Sequence, residues 1–150
     1  MGSDSVVDTR RSLATQAADY LRAGYHCSEA VVLAIGPVVV PDWHPACIRL
    51  STGFAGGVGG TRNELCGALA GGVMVIGAVF GRSELQDDAL AQQLTAEFRQ
   101  RFRESLGESQ CRWLRENVVA PEGGLGSCAV VVERATLILL DVLAEAGVSL

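Results

Sequence analysis

The stretch of residues 53–81 constrains the fold most, because a glycine-rich loop runs there into an apolar, uncharged helix. Asn63 is placed to cap this helix by accepting hydrogen bonds from free backbone N–H groups, and Glu64 adds a charge that the helix dipole favours. Cys66 then falls in the first turn, where the pKa of a thiol commonly drops below its usual value of about 8.5. The position predicts a nucleophile or a metal ligand at Cys66, with a small buried apolar side chain as the alternative.

The glycines of the loop do not form a nucleotide-binding fingerprint. A dinucleotide motif that starts at Gly57 would need glycine where Arg62 stands, and no strand clearly precedes it. Close backbone approach to a cluster, a helix or a substrate is the better use of these glycines. Within the helix, glycines four residues apart predict flat faces that let another helix come very close. These pairs are Gly67 with Gly71 and Gly77 with Gly81.

The whole chain predicts one domain and excludes several functions. A length of 150 residues is enough for one domain with a core and too short to expect two, so we expect a single domain over residues 1–150. The formal net charge of −5 and the lack of a strongly basic block argue against binding to nucleic acid. The chain contains no lysine, which excludes Schiff-base chemistry and a Walker-type phosphate loop.

The sequence also predicts where the protein works. The longest uncharged run, residues 65–81, is shorter than the ~20 apolar residues that span a bilayer, so we expect no membrane association. The N-terminal residues lack the pattern of a signal peptide, and Val6 breaks the myristoylation pattern that Gly2 begins. We therefore expect a cytoplasmic protein. Because thiols are held reduced there, its five cysteines are expected to be catalytic, redox-active or metal-binding rather than disulfide-bonded.

Hydrophobic periodicity predicts an all-α, single-domain bundle of about five helices with short connections and no strand. Helices are expected over residues 6–23, 28–36, 45–50, 65–81, 83–106 and 127–146, the third of them short. Pro37 and Pro41 bracket residues 38–40, which predicts a loop there. Ser83 with Gln86 forms a capping box for the long helix that Gly107 ends. An apolar stripe recurs along this helix at every fourth residue, namely Leu90, Leu94, Phe98, Phe102 and Leu106. Ser109 is expected to cap a short turn that contains Cys111.

The cysteines have position rather than spacing in common. No pair is spaced as C-x-x-C, so neither a zinc ribbon nor a thioredoxin-like site is indicated. Cys27, Cys66, Cys111 and Cys128 each fall in the first turn of a predicted helix. If those helix starts met at one end of the bundle, four thiolates would suit an anionic iron–sulfur cluster or a reactive thiol pair. Neighbouring antiparallel helices start at opposite ends, so convergence would require crossovers or tilted short helices.

Four segments of the chain match a known pattern: GYHCSEAVVLAIG, GFAGGVGGTRNELCGALAGGVMVIG, GESQC and the SC at Cys128. They resemble the family of proposed redox-active proteins named for its C-GCAxxG-C-C cysteine pattern. The most specific piece is CGALAG, residues 66–71, which fits CGAxxG. The resemblance carries the four family cysteines onto Cys27, Cys66, Cys111 and Cys128 and leaves Cys47 outside. It implies electron or thiol chemistry and names no substrate.

Several polar residues near these cysteines have more than one interpretation. His26 could be an alternative ligand or a base, although an imidazole at a turn is more often partly exposed and satisfied by backbone. His44 has no assigned role. Glu29 and Glu64 are expected to complement helix dipoles rather than act as general bases. Arg62 could offset the charge of an anionic cluster, and an ordinary loop arginine is the commoner case.

Three functional hypotheses follow, and they leave open whether the protein is an enzyme. The first is a small cytoplasmic redox protein whose four cysteines bind an iron–sulfur cluster and pass electrons to a partner protein. The second is a thiol–disulfide or peroxide-reactive enzyme with a low-pKa catalytic Cys66, resolved by Cys27 or Cys128. The third is a structural zinc module without turnover, although zinc thiolates usually come in close C-x₂₋₄-C pairs.

The sequence makes two further predictions about packing and assembly. Cys47, between Ala46 and Ile48, is expected to be a packing residue outside the site. Residues 65–81 and 129–140 offer more apolar surface than five short helices need, which predicts a homodimer.

Overall fold

The computed structural model describes residues 2–150, and only the backbone of residues 2–4. The predicted all-α class is confirmed, since the described residues form seven α-helices, one π-helix and no strand. The helices are α1 Gly2–Ala23, α2 Cys27–Val39, α3 Ala46–Thr52, α4 Gly67–Phe80, α5 Ala89–Leu106, α6 Cys111–Leu114, the π-helix Arg115–Val119 and α7 Cys128–Glu145. The predicted count of about five is too low, because the turn around Cys111 forms α6 and the π-helix.

The apolar core lies among α2, α4, α5 and α7, with α1 packed against α2 and α7. Three residues of the predicted stripe along α5, Phe98, Phe102 and Leu106, are buried in it, whereas Leu90 at its start is 50% exposed. Periodicity was sufficient to identify this stripe, because a helix that buries one face repeats its apolar residues every three or four positions.

The glycines of α4 allow α2 to approach closely at one end of the helix only. A Cβ atom added at Gly71 would lie 2.7 Å from the carbonyl oxygen of Ser28, and one at Gly67 would overlap the sulfur of Cys27. The predicted flat face at Gly67 and Gly71 is therefore confirmed. Gly77 is exposed, and no other part of the described chain comes within 4 Å of the Cβ that it lacks, so the second predicted glycine face is uncovered in this chain.

Three predicted helix boundaries are wrong. Helix α1 begins at Gly2 and not at Val6. Helix α2 continues through Pro37 to Val39, so the loop predicted over residues 38–40 is helical at its first two positions; Val39 is buried, and the exposed Pro37 interrupts only the last turn of the helix. Helix α5 begins at Ala89 and not at Ser83. Residues 81–88 form an irregular connection with a bend instead, in which the side chain of Arg82 donates to the carbonyl oxygen of Gln86 (2.7 Å).

Other helix ends agree with the local signals. Gly107 ends α5 with a φ of 97°, and its N–H donates to the carbonyl oxygen of Arg103 (2.7 Å). Ser127 caps α7, since its hydroxyl oxygen accepts from the N–H of Ala129 (3.0 Å). None of the described helices is both long enough and apolar enough to cross a membrane.

Candidate functional site

One cavity of about 490 Å³ is lined by four of the five cysteines. These are Cys27, Cys66, Cys111 and Cys128. The fifth, Cys47, lines a separate apolar hollow with Trp43 and Leu50. The structure therefore divides the cysteines in the same way as the sequence pattern does. We call the first of these cavities the cysteine cavity.

The cysteines meet because several helices begin at the same end of the bundle. Cys27 and Cys128 are the first residues of α2 and α7, Cys111 is the first residue of α6, and Cys66 immediately precedes α4. Between these starts, α3 with the glycine loop and α5 return the chain to the end where it began. The crossovers that convergence requires are thus supplied by α3 and α5.

The glycine loop forms one wall of the cysteine cavity in a left-handed conformation. Residues 56–60 have φ between 59° and 72°, a region that glycine enters without the steric cost paid by other residues. The turn is closed by the N–H of Gly59, which donates to the carbonyl oxygen of Gly53 (2.8 Å). A Cβ atom at Gly57 would lie 2.7 Å from the Cβ of Cys111. The loop therefore touches a cysteine directly, which is the close backbone approach expected of these glycines.

A short antiparallel pairing holds Cys66 next to the segment of Cys111. The N–H of Cys66 donates to the carbonyl oxygen of Ser109 (2.7 Å), and the N–H of Cys111 donates to that of Glu64 (2.9 Å). Leu65 and Gln110 form the isolated bridge between them. Sequence analysis missed this pairing, because a single bridge is too short to produce the alternating pattern of a strand.

The predicted cap at Asn63 is wrong, and this pairing explains why. The carbonyl oxygen of Asn63 accepts from the side chain of Gln110 (3.0 Å), and its Oδ1 accepts from Arg112 (3.2 Å). Cys66 itself occupies the cap position of α4. Ser109 likewise does not cap α6, whose cap position belongs to Gln110.

Glu29 fixes the helix start that carries Cys27. One carboxylate oxygen accepts from the N–H of His26 (3.0 Å), and the other accepts from the hydroxyl of Thr52 at the end of α3 (2.9 Å). The predicted role of Glu29 at a helix start is confirmed. Next to it, the buried hydroxyl of Ser28 donates to the carbonyl oxygen of Ser51 (2.7 Å), so α2 and α3 are joined twice beside the cysteine.

The two histidines are in different places. His26 is exposed and lines the cysteine cavity. His44 does not line it, and its Nδ1 accepts from the N–H of Ala46 (3.1 Å) at the start of α3. A local role at a turn therefore explains His44 without any ligand.

Two arginines make the cysteine cavity cationic. Arg115, the first residue of the π-helix, lies close enough to Cys111, Cys128 and Cys27 to interact with them electrostatically. Arg62 also lines the cavity and acts on Cys128. Among the described residues, no Asp or Glu lines this cavity, although the chain has a net charge of −5.

Arg115 is a site residue that sequence analysis missed. It follows Cys111 by four residues, and residues four apart lie on the same face of a helix. That spacing was the available signal. Its Nε is buried and has no hydrogen-bond partner among the described residues.

The predicted low pKa of Cys66 is wrong for the free thiol. Burial, with a smaller contribution from the neighbouring Cys27, raises its pKa to about 12, while hydrogen bonds from the N–H groups of Ala68 and Leu69 oppose the rise. Burial also raises the pKa of Cys128, against the opposing effect of Arg115. The helix start favours a thiolate as expected, but the sequence did not reveal that Cys66 is only 8% exposed.

The thiols line the cavity wall without closing around one point. Among the described residues, no three His, Cys, Asp or Glu side chains are grouped closely enough to hold a single metal ion. A mononuclear tetrahedral site, with four sulfurs about 2.3 Å from one metal, is therefore not preformed.

The fold of the described residues is all-helical, and one cavity in it is lined by four cysteines. The chain belongs to the family described as "Putative redox-active protein (C_GCAxxG_C_C)", whose model matches residues 25–142. All four cysteines of the cavity lie within the match, so the resemblance seen in the sequence is confirmed. No curated protein and no solved structure matches the chain.

Proposed function

We propose that Cys27, Cys66, Cys111 and Cys128 bind an iron–sulfur cluster and that the protein passes electrons through it to a partner protein. The observation that carries the proposal is the convergence of these four cysteines, and not Cys47, on one cavity. When bound, a cluster would supply reversible electron transfer at a potential set by its surroundings.

The chemistry of the cavity fits a cluster in two respects. Thiolates are the ligands that iron–sulfur clusters take, and the thiols here stand around a space rather than around a point. A cluster with four thiolates is anionic, and Arg115 offers a guanidinium whose buried Nε has no partner within the described chain. The positive charge of this guanidinium would stabilise the anionic cluster from the cavity wall, and its Nε would remain able to donate to a further acceptor.

The chain's own residues would hold and shield this group. The pairing of residues 64–66 with 109–111 sets Cys66 and Cys111 side by side, and Glu29 fixes the helix start of Cys27. Leu114, Val131 and Val132 are buried side chains in the cavity lining, and they would give the group an apolar wall. An apolar wall lowers the local dielectric and so strengthens the interaction between the arginines and an anionic site.

Anaerobic purification from cells with an active cluster-assembly system tests the proposal. We expect a brown protein that contains iron and acid-labile sulfide. A colourless, iron-free protein from the same preparation would reject the cluster. Stoichiometric zinc that a chelator does not remove would instead support the structural zinc module.

Serine variants test which cysteines take part. Replacing Cys27, Cys66, Cys111 or Cys128 by serine is expected to abolish cluster retention in each case, because oxygen replaces a soft ligand poorly. Cys47→Ser is the matched control, since it lies in the separate hollow and should cost only about 1 kcal/mol of stability. Equal loss of iron in Cys47→Ser would mean that the site is wrongly assigned.

A specific contact favours thiol chemistry as the second candidate. The sulfur of Cys27 packs against Gly67, the residue after Cys66, which makes Cys27 better placed than Cys128 to form a disulfide with Cys66. In that case Cys27→Ser and Cys66→Ser would abolish thiol–disulfide or peroxide activity, whereas Cys111→Ser and Cys128→Ser would retain it. The same panel of variants therefore separates the two functions.

A further inference from the structure

The cysteine cavity has two kinds of wall besides its thiols. Arg62 and Arg115 supply positive charge, and no carboxylate lines the cavity among the described residues. A set of buried or half-buried aliphatic side chains supplies apolar surface. This set contains Leu21, Leu114, Val119, Val131 and Val132. The volume of the cysteine cavity, about 490 Å³, lies in the range of about 300–1,000 Å³ seen for pockets that hold whole small molecules.

Arg115 has hydrogen-bonding capacity that the described chain does not use. Its Nε is buried without an acceptor among the described residues. A buried donor on a charged group is costly to leave unpaired. The planar guanidinium matches the two oxygens of a carboxylate, which could accept from Nε and its neighbour together.

Arg62 has a backbone conformation that suits glycine and a side chain without a partner. Its φ is 64°. Two backbone hydrogen bonds hold this conformation: the N–H of Arg62 donates to the carbonyl oxygen of Gly56 (2.8 Å), and the carbonyl oxygen of Arg62 accepts from the N–H of Arg112 (2.9 Å). Glycine would adopt this conformation at lower cost, as it does at Gly56 and Gly57. The Arg62 side chain forms no hydrogen bond or salt bridge with the described chain. What an arginine adds here is therefore its charge at the cavity.

We propose that the cysteine cavity binds an organic carboxylate as the small-molecule ligand of the redox site. Arg62 and Arg115, which both line it, hold its carboxylate group, and the aliphatic wall around Leu114 and Val131 holds its apolar body. The inference rests on the proposed function in one respect, namely that the cluster engages the thiols and leaves the arginines able to bind a second anion.

Calorimetric titration of the cluster-loaded protein with hexanoate tests the inference. Three other compounds are titrated for comparison. Hexanol lacks the charge of hexanoate, hexylamine carries the opposite charge, and sulfate lacks the apolar body. We expect hexanoate to bind at least about tenfold more tightly than any of the three, because one charged hydrogen-bonding contact corresponds to about that factor. Hexanol binding as tightly as hexanoate would overturn the inference.

Two variants locate the site. Arg62→Gly is expected to weaken hexanoate binding about tenfold while raising the melting temperature, because glycine relieves the left-handed strain. Arg115→Met is expected to weaken binding by a similar factor. Arg134→Gln, an exposed position on α7 outside the cavity, is the control and should bind hexanoate as the unmodified protein does. Unchanged binding in both cavity variants would also overturn the inference.

Iron content, measured on the same samples, separates this inference from the proposed function. Iron-loaded protein that does not bind hexanoate overturns the carboxylate site alone. Iron-free protein that binds hexanoate with the expected dependence on Arg62 supports the carboxylate site and rejects the cluster.

Discussion

Gly57 is the point where the glycine loop touches the cysteine site. Its φ is 69°, and an added Cβ would lie 2.7 Å from both the Cβ of Cys111 and the Cα of Arg62. Gly57→Ala therefore combines backbone strain with a collision against backbone that cannot move without shifting Cys111. We expect it to lower the free energy of unfolding by about 3 kcal/mol in urea denaturation and to reduce iron retention.

Substitutions at two other glycines of the same segment distinguish the cost of backbone strain from the cost of steric overlap by an added Cβ. Gly59 has a φ of 64° but nothing within 4 Å of its missing Cβ, so Gly59→Ala should cost only about 1 kcal/mol. Gly53 has ordinary helical backbone (φ −71°, ψ −14°) and equally open space, so Gly53→Ala should stay within about 0.5 kcal/mol of the unmodified protein. Equal effects at the three positions would contradict the left-handed loop.

Cys66 shows at the residue scale why acidity is hard to predict from sequence. A helix start lowers the pKa of a thiol, but burial disfavours the charged form and is the larger effect here. Burial depends on α2 and on the segment of Cys111, which are distant from Cys66 in sequence.

At the scale of elements, α4 carries two glycines with opposite environments. Gly71 faces α2, where a Cβ would lie 2.7 Å from the carbonyl oxygen of Ser28 and 3.2 Å from the Cβ of Val31. We expect Gly71→Ala to force the two helices apart and to cost roughly 1–3 kcal/mol. Because Cys27 begins α2, iron retention should fall with stability.

Gly77→Ala is the matched substitution on the same helix. Gly77 is exposed, and nothing lies within 4 Å of the missing Cβ, so alanine should stabilise α4 by roughly 0.5–1 kcal/mol through its higher helix propensity. Thermal unfolding of both variants at equal protein concentration would check the pair. A loss of stability in Gly77→Ala would show that this face is covered.

The cluster proposal has a consequence for the whole molecule. The four cysteines belong to separate segments that begin α2, α4, α6 and α7, so a cluster bound to all four links most of the fold. A ligand that binds only the folded state stabilises it. Removal of the cluster by an iron chelator is expected to lower the melting temperature by roughly 10 °C. An unchanged melting temperature after complete iron removal would mean that the cysteines do not share one ligand.

The apolar hollow that contains Cys47 is the surface at which we expect the predicted homodimer to form. It is lined almost entirely by apolar side chains, and Leu50 at its edge is 69% exposed. As the sequence predicts a homodimer, we expect a second copy of the chain to cover this hollow and light scattering at micromolar protein to give a dimer mass. Leu50→Asp should then give monomers, whereas Leu85→Asp, at a position that is 98% exposed and outside the hollow, should not. A monomer mass for the unmodified protein would contradict the prediction.

Local signals in the sequence determined the fold class, several helix ends and the cysteine positions. Gly107 and Ser127 mark helix ends because their effects act over three or four residues, and the stripe that contains Phe98 and Phe102 repeats within one helix. The same signals place four cysteines in or beside the first turn of a helix. Each of these features depends on neighbours in the chain, which is why the sequence alone suffices.

Only the tertiary structure decided that these cysteines share a cavity, that Cys66 is buried, and that Arg115 faces the same space. Cys66 is held by the carbonyl oxygen of Ser109, 43 residues away by their numbers, and Gly57 is packed against Cys111. Contacts of this kind arise from how the helices return to one end of the bundle. Their energies come from burial and close approach between distant segments, and no local pattern records them.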